Sequence, residues 1–355
     1  MKKWKNNIRN IEPYVPGEQS KDKDIVKINA NENSYPPSPM VIKAINEFNC
    51  SNLRFYPDAN AAEFKNAVAE FYNVKAENVF LGNGSDDVIA LAFQAFFNSD
   101  KPVAYPDITY SFYPVWCRLF GIPYKNYPLD DNFRINAEDY KEENGGVVIP
   151  NPNAPTSLGE GTEFVEKILN YNQDSIVIID EAYVDFGGQS SVKLTEKYEN
   201  LLVTGTFSKS RSLAGMRIGY AIGSKYLISV LEAVKNSYNS YTVNSISMAA
   251  GTAAIRDTEY FNETVSKIIA TRERVAAELK ALGFTVLDSQ TNFLFATHND
   301  INIKEYFEWL KAQKVFIRYF NQPRIDKYVR ISIGTDDEMN IFLDKTKEFL
   351  KKKGD

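Results

Sequence analysis

Short apolar runs rich in β-branched residues alternate along most of this chain with longer segments of helical period. That alternation restricts the fold to a mainly parallel sheet with helices on its faces. Runs at 78–81, 102–105, 124–127, 146–149, 175–179, 201–206 and 218–222 read as strands, and segments at 60–72, 85–97, 111–120, 162–171 and 224–237 read as helices. Ser38 followed by Pro39 reads as an N-cap and first helical position, opening a helix through Phe48. Beyond Glu259 the pattern changes. A long helical segment runs to Leu282 and stops at Gly283; FTVL (284–287), NFLF (292–295), VFIRY (315–319) and YVRISI (328–333) read as strands, with helices at 303–313 and at the carboxy-terminal end. The expected organisation is α/β: a large domain over 40–255 with a seven-stranded sheet, and a smaller α+β domain built from 1–39 and 256–355, with an amino-terminal arm.

Composition narrows the chemistry. With 41 Lys+Arg against 46 Asp+Glu, a formal charge of -5 and no basic cluster, nucleic acid is not the expected partner. The apolar stretch 88–97 is too short for a bilayer and the basic first residues lack an apolar segment after them, so no membrane association and a cytoplasmic location are expected. Cys50 and Cys117 form no CxxC, and His298 is the single histidine, set in the polar sequence ATHNDIN. A disulfide framework, a structural zinc site and histidine-based catalysis all lack residues, and no metal is expected. Chemistry falls to Lys, Asp, Tyr, Arg or a cofactor.

The segment Thr206-Phe-Ser-Lys209 through Arg217 places a lysine just after an apolar strand, among small hydroxyl residues, with an arginine eight positions on. A lysine amine condenses with an aldehyde, and pyridoxal phosphate supplies both the aldehyde and a phosphate that hydroxyls and a guanidinium would hold. A lone lysine is more often an exposed surface residue, so the reading needs partners. Asp180 ends the strand-like SIVIID, where a carboxylate can pair with a pyridine nitrogen, and Tyr183 follows three residues later. Capping of a turn is the plain alternative for Asp180. Gly82-Asn-Gly84-Ser85-Asp86-Asp87 joins a strand to a helix start, a common turn but also an anion site. Tyr110, after another strand, suits stacking on a ring or simple packing.

With these residues in place, the chain resembles the fold-type I pyridoxal-phosphate aminotransferases, and among them the histidinol-phosphate aminotransferases. The resemblance runs through NIEPYVPGE (10–18), NANENSYPPSP (29–39), RFYPD (54–58), GNGSDD (82–87), PDITYSFY (106–113), NPNAPTS (151–157), IIDEAYVDF (178–186), TFSKSRSLAGMRIGY (206–220), VNS (243–245), TNFLF (291–295) and VRISIGT (329–335). It implies a ping-pong transfer between histidinol phosphate and 2-oxoglutarate, by way of pyridoxamine phosphate, with glutamate as the amino partner. Lys209 would hold pyridoxal 5'-phosphate and move the proton, Asp180 would pair with the ring nitrogen, Tyr183 with the ring oxygen, and Tyr110 would stack. Gly84, Ser85, Asp86, Thr206, Ser208 and Arg217 would hold the phosphate. Tyr56 would reach the cofactor of a second subunit, which implies a homodimer with shared sites. Arg330, Arg318, Tyr14 and Asn33 would bind substrate.

Two departures from the family pattern stand out. Ala154 precedes Pro155-Thr156-Ser157 where many relatives carry asparagine, so the amide contact to the ring oxygen is lost or passes to Asn153, with a raised pH optimum expected. Arg211, within SKSRS, either adds positive charge near the site or faces solvent, and solvent is the favoured reading. Other reactions on the same cofactor, threonine-phosphate decarboxylation or broad aromatic transamination, stay open at this point. A dinucleotide-binding reading fails because GNGSDD is not GxGxxG, and with only a short stretch ahead of the first motif a DNA-reading domain is not expected. Tyr14 with Pro16-Gly17 suits a lid over the substrate, and the sequence leaves open whether the amino-terminal arm forms one.

Overall fold

A computed structural model describes residues 3–14 and 24–354. In chain order its strands are β1 (Val26–Lys27), β2 (Val79–Gly82), β3 (Val103–Pro106), β4 (Tyr124–Tyr127), β5 (Gly146–Pro150), β6 (Val177–Asp180), β7 (Leu201–Thr206), β8 (Gly219–Gly223), β9 (Phe284–Val286), β10 (Phe293–His298), β11 (Val315–Phe316), β12 (Arg318–Tyr319) and β13 (Val329–Ser332). Seven of them form one sheet in the order β2-β8-β7-β6-β5-β3-β4. β8 runs antiparallel to both neighbours, and the other pairs are parallel.

The central strands are apolar at nearly every position because both faces are covered. Successive side chains alternate between the faces. Val147, Ile149, Val177, Ile179, Leu201 and Val203 enter one apolar cluster; Val148, Ile178 and Leu202 enter the other. The first face packs against helices Ala62–Tyr72, Thr162–Tyr171 and Ser245–Arg256, through Phe64, Val68, Val165, Ile168 and Ala250. Ser85–Phe96 and Lys225–Tyr238 cover the second through Val88, Leu91, Leu227 and Leu231. The α/β reading with a mainly parallel seven-stranded sheet therefore holds. Its one inserted antiparallel strand, β8, is not distinguishable by composition.

The antiparallel sheet β12-β13-β10-β9, helices Thr258–Ala281, Ile303–Ala312 and Asp336–Gly354, and the parallel pair β1 and β11 share a separate apolar cluster. Here VFIRY, expected as one strand, is divided. Val315–Phe316 pairs with β1, the buried Ile317 separates the two segments, and Arg318–Tyr319 pairs with β13. Ser38 caps its helix as expected, accepting from the Val41 N–H at 3.3 Å.

Arg211 corrects the solvent reading. It is 8% exposed, its guanidinium lies over Phe261, Phe71 and Phe207 at 4.2, 4.7 and 5.4 Å, and Nη1 donates to the Ala254 carbonyl at 2.8 Å. Aromatic faces and one carbonyl replace the water that a surface arginine would keep. Arg211→Ala is expected to destabilise the protein by about 3 kcal/mol, through the cavity left and the lost cation–aromatic contacts, measured as a lowered denaturant midpoint. A midpoint equal to wild type would contradict this packing role.

The architecture sets the site. β3, β5, β6 and β7 are parallel, so their carboxyl ends lie at one edge of the sheet, where PDITY, NPNAP, DEAY and TFSK emerge side by side.

Candidate active site

At that edge lies a cavity of about 500 Å³ lined by Tyr14, Glu32, Ser85, Asp86, Tyr110, Ala154, Asp180, Tyr183, Thr206, Ser208, Lys209 and Arg217, among others. An adjoining cavity of about 190 Å³ shares Tyr14, Tyr110, Ala154, Tyr183 and Lys209, and adds Arg318 and Arg330. Residues far apart in sequence are thus brought to one continuous space.

Lys209 is placed by β7 and the short turn after it. Its Nζ donates to the Ala30 carbonyl at 3.4 Å and lies 5.8 Å from the Tyr183 ring centre. Asn33, expected at the substrate, is not among the residues lining either cavity. Its amide donates to the carbonyls of Lys209 and Ser210 at 3.0 and 3.5 Å, so it holds the lysine's backbone instead.

Asp180 ends β6 with one carboxylate oxygen bonded and the other bare. Tyr113, wholly buried, donates to Oδ2 at 2.9 Å, while the buried Oδ1 has no hydrogen-bond partner. Burial raises the Asp180 carboxyl to about 6, against the lowering effect of the Tyr113 hydrogen bond. Its neighbour Glu181 accepts from the Ser191 N–H and the Ser190 hydroxyl, yet burial raises it to about 7. Both carboxyls sit above their unfolded values, so the stability they allow is complete below those values and is lost as pH rises through 6 and 7. The cofactor-free protein is expected to weaken by about 3 kcal/mol per carboxyl as pH rises from about pH 4 to about pH 7.5, Asp180 losing its share before Glu181. Asp180→Asn should remove that residue's share, which unfolding midpoints of the two proteins across this range will measure. A difference between them that does not vary with pH would contradict the assignment.

The turn before helix Ser85–Phe96 makes the anion end of the cavity. Gly84 has φ +92, and a Cβ there would fall 2.5 Å from Arg217 Nη2; a Cβ on Gly219 would meet the Ser85 nitrogen at 2.4 Å. Only glycine lets strand, turn and guanidinium approach this closely. The Gly84 N–H is already used, donating to the Gly82 carbonyl at 2.9 Å, so the amides offered are those of the helix's first residues, Ser85 and Asp86, which have no intrahelical acceptor. Thr206 and Ser208, whose hydroxyls are 3.0 Å apart, and Arg217 complete this end. The Asp86 side chain also ties the ring and the guanidinium to this turn, because Oδ1 accepts from Tyr110 at 2.7 Å and Oδ2 from Arg217 at 3.1 Å.

At the other end, Arg318 and Arg330 stand opposite each other on the paired strands β12 and β13. Arg330 Nη2 donates to the Asn29 carbonyl at 3.1 Å, its Nε is buried without a partner, and its guanidinium lies over Phe293 and Phe320. Burial holds it below its ordinary value, Tyr183 works the other way, and Arg318 adds to the lowering. Two adjacent guanidiniums with an unmet donor are suited to an anion. Tyr14 stacks on Phe112 at 4.2 Å and lines both cavities, whereas Pro16-Gly17 lie outside the described residues.

Asn153 does not take over the missing amide contact. Its amide nitrogen donates to the Ile108 carbonyl and to Thr156, both at 3.0 Å, and Ala154 is the residue on the cavity wall. Tyr56 is 80% exposed, stacked on Tyr241 at 4.5 Å, and is not among the residues lining the cavities. Two partners escaped sequence reasoning: Tyr113, signalled only by its place three residues after Tyr110, and Asn31, whose amide donates to the Tyr183 hydroxyl at 2.9 Å. Among the described residues no group of His, Cys, Asp and Glu is arranged to hold a metal, and no helix is long and apolar enough to cross a membrane.

Pyridoxal phosphate suits these residues on structural grounds. A buried carboxylate oxygen lacks a donor that a protonated pyridine nitrogen would supply, a lysine amine shares its cavity, and an anion end of amides, hydroxyls and a guanidinium adjoins it.

The chain is 51% identical over 347 residues to a histidinol-phosphate aminotransferase of Brachyspira hyodysenteriae, covering 98% of each chain. It is 49% identical over 350 residues to that of Lactococcus lactis subsp. cremoris, covering 99% of this chain and 98% of that one. A solved structure described as a putative histidinol-phosphate aminotransferase from Erwinia carotovora atroseptica superposes with a TM-score of 0.85 at 25% identity, over 93% of this chain and 97% of that chain. The family described as Aminotransferase class I and II matches residues 23–345, and the chain belongs to that family.

Proposed function

We propose that this chain is a pyridoxal-phosphate-dependent aminotransferase that interconverts histidinol phosphate plus 2-oxoglutarate and imidazole acetol phosphate plus glutamate. The observation that carries the substrate reading is the pair Arg318 and Arg330, which are paired across two strands and line the smaller cavity together with Lys209 and Tyr14. It is supported by near 50% identity to enzymes bearing that activity in their names over almost the whole chain. The bound cofactor supplies an electron sink for the electrons left when a proton departs the substrate's Cα.

The residues divide the remaining work. Lys209 would hold the cofactor through its amine, and the same amine would move the proton at the substrate's Cα. Asp180, fixed by Tyr113, offers its bare Oδ1 to the pyridine N–H and keeps that nitrogen protonated. Tyr183 would donate to the ring oxygen, and Tyr110, anchored on Asp86, would stack on the ring. The Ser85 and Asp86 amides, Thr206, Ser208 and Arg217 hold the phosphate. Arg318 and Arg330, with Tyr14, take the phosphate of the amine substrate in one half-reaction and the carboxylate of the keto acid in the other. In this reading 40–255 forms the cofactor-binding domain, 1–39 with 256–355 the small one, and Tyr56 reaches the neighbouring site of a homodimer in the cytoplasm.

Product analysis tests the reaction. Incubation with histidinol phosphate and 2-oxoglutarate is expected to yield equimolar glutamate and imidazole acetol phosphate. Carbon dioxide release from a phosphorylated amino acid, without glutamate formation, would replace transfer by decarboxylation.

A further inference from the structure

Behind Tyr183 three polar groups are held in a fixed hydrogen-bond order. The Asn31 backbone N–H donates to Ser332 Oγ at 2.8 Å, and the Ser332 hydroxyl donates to Asn31 Oδ1 at 3.0 Å. Asn31 Nδ2 then donates to the Tyr183 hydroxyl oxygen at 2.9 Å. Each contact determines the next. A carboxamide can present either end, but here its oxygen is claimed by the one hydrogen of Ser332, so the NH2 end faces the phenol. The phenol oxygen therefore accepts, and its single hydrogen must be donated elsewhere.

That hydrogen has one direction open. Tyr183 lines both cavities and makes no donated hydrogen bond to a protein acceptor among the described residues. Asn31 is itself immobilised: it is 1% exposed, its φ of 55 is one asparagine accepts readily, and its carbonyl accepts from Asn292 Nδ2 at 3.1 Å. Ala154, which lines the same two cavities, has no side-chain donor, and the amide hydrogens of Asn153 are spent on Ile108 and Thr156. One directed hydroxyl thus stands where an asparagine at 154 would add a second donor.

We propose that Asn31, set by Ser332, is a positioning residue that aims the Tyr183 hydroxyl hydrogen at the ring oxygen of the bound pyridine cofactor, in a chain whose Ala154 leaves Tyr183 without help there. The inference rests on the pyridoxal-phosphate reading above. Asn31 touches neither substrate nor reacting atoms in this role; it acts through Tyr183.

The test is a visible-absorption pH titration of the purified, cofactor-loaded protein, without substrate. A hydrogen bond donated to the ring oxygen favours its ionised form and lowers the pH at which the lysine-bound band titrates. Asn31→Gly, which accepts the same backbone angle without strain, is expected to raise that midpoint by about one unit, a tenfold change in proton affinity. Tyr183→Phe should raise it at least as far, and the double variant no further than Tyr183→Phe alone, because both remove one interaction. Ser332→Ala, which frees the amide to turn, should move the midpoint in the same direction by less, and keeps the question answerable if Asn31→Gly does not fold. Adding Ala154→Asn should shrink the effect of Asn31→Gly. An unchanged midpoint in Asn31→Gly and Ser332→Ala, or an equal shift from Asn31→Gly with and without the Tyr183 hydroxyl, overturns the proposal. A wild-type protein that forms no band overturns instead the cofactor reading on which it rests.

Discussion

Replacing Lys209 with alanine is expected to lower kcat by at least about 10⁴-fold, the upper range for loss of a positioned acid–base group, since the attachment point is lost as well. The lysine is the amine that lines both cavities, and among the described residues its Nζ donates to the Ala30 carbonyl and lies over the Tyr183 ring at 5.8 Å. The turn around it is held by Asn33 through the backbone carbonyls of Lys209 and Ser210, which alanine retains. The variant should therefore keep the wild-type circular dichroism and melting profile while losing turnover. Steady-state rates within tenfold of wild type would remove Lys209 from the chemistry.

Arg330→Leu is expected to cost about 100-fold or more in kcat/KM for both the amine and the keto acid, from two lost charged hydrogen bonds at about 1.5–3 kcal/mol each. The parallel loss matters, because one anion-binding pair must serve both halves of the reaction. Arg330 is prepared for this use. Its Nε is buried without a partner, and burial already opposes its charge, so an arriving anion satisfies a donor that the protein leaves unmet. Arg330→Lys keeps the charge but not the planar two-pronged fork, so it should recover only part of the loss. Separate kinetics with each substrate will measure this; a defect confined to one of them would divide the two anions between different sites.

What is legible in the sequence follows from where each interaction lies along the chain. Lys209, Thr206, Ser208 and Arg217 fall within one short segment, and Asp180 with Tyr183 in another, each directly after a strand whose apolar run marks it as buried. Parallel strands then bring those segments to one edge without further information. Tyr113 and Asn31 are different. Their roles arise from contacts across 67 and 152 residues, and no local pattern separates them from packing residues in a chain with 21 tyrosines. Arg211 misleads for a related reason. A charged residue among serines reads as exposed, and only the approach of Phe71 and Phe261 from two distant helices encloses it. Asn33 and Asn153 lie in the expected motifs, but their amides are consumed by backbone carbonyls and a threonine, choices that depend on where the loops meet. The division of VFIRY between two sheets likewise depends on partners, β1 and β13, that lie outside the segment itself.

Cofactor and substrate are tested together by the visible absorption spectrum of the purified protein supplied with pyridoxal phosphate, followed by stepwise addition of histidinol phosphate with no keto acid present. The expected result is a visible band that forms with the wild-type protein, is absent from Lys209→Ala, is lost in proportion to the histidinol phosphate added, and returns when 2-oxoglutarate follows. A band that forms but ignores histidinol phosphate and yields only to other amines would contradict the substrate assignment, and no band at all would contradict the assignment of Lys209 and Asp180 to a pyridoxal-phosphate site.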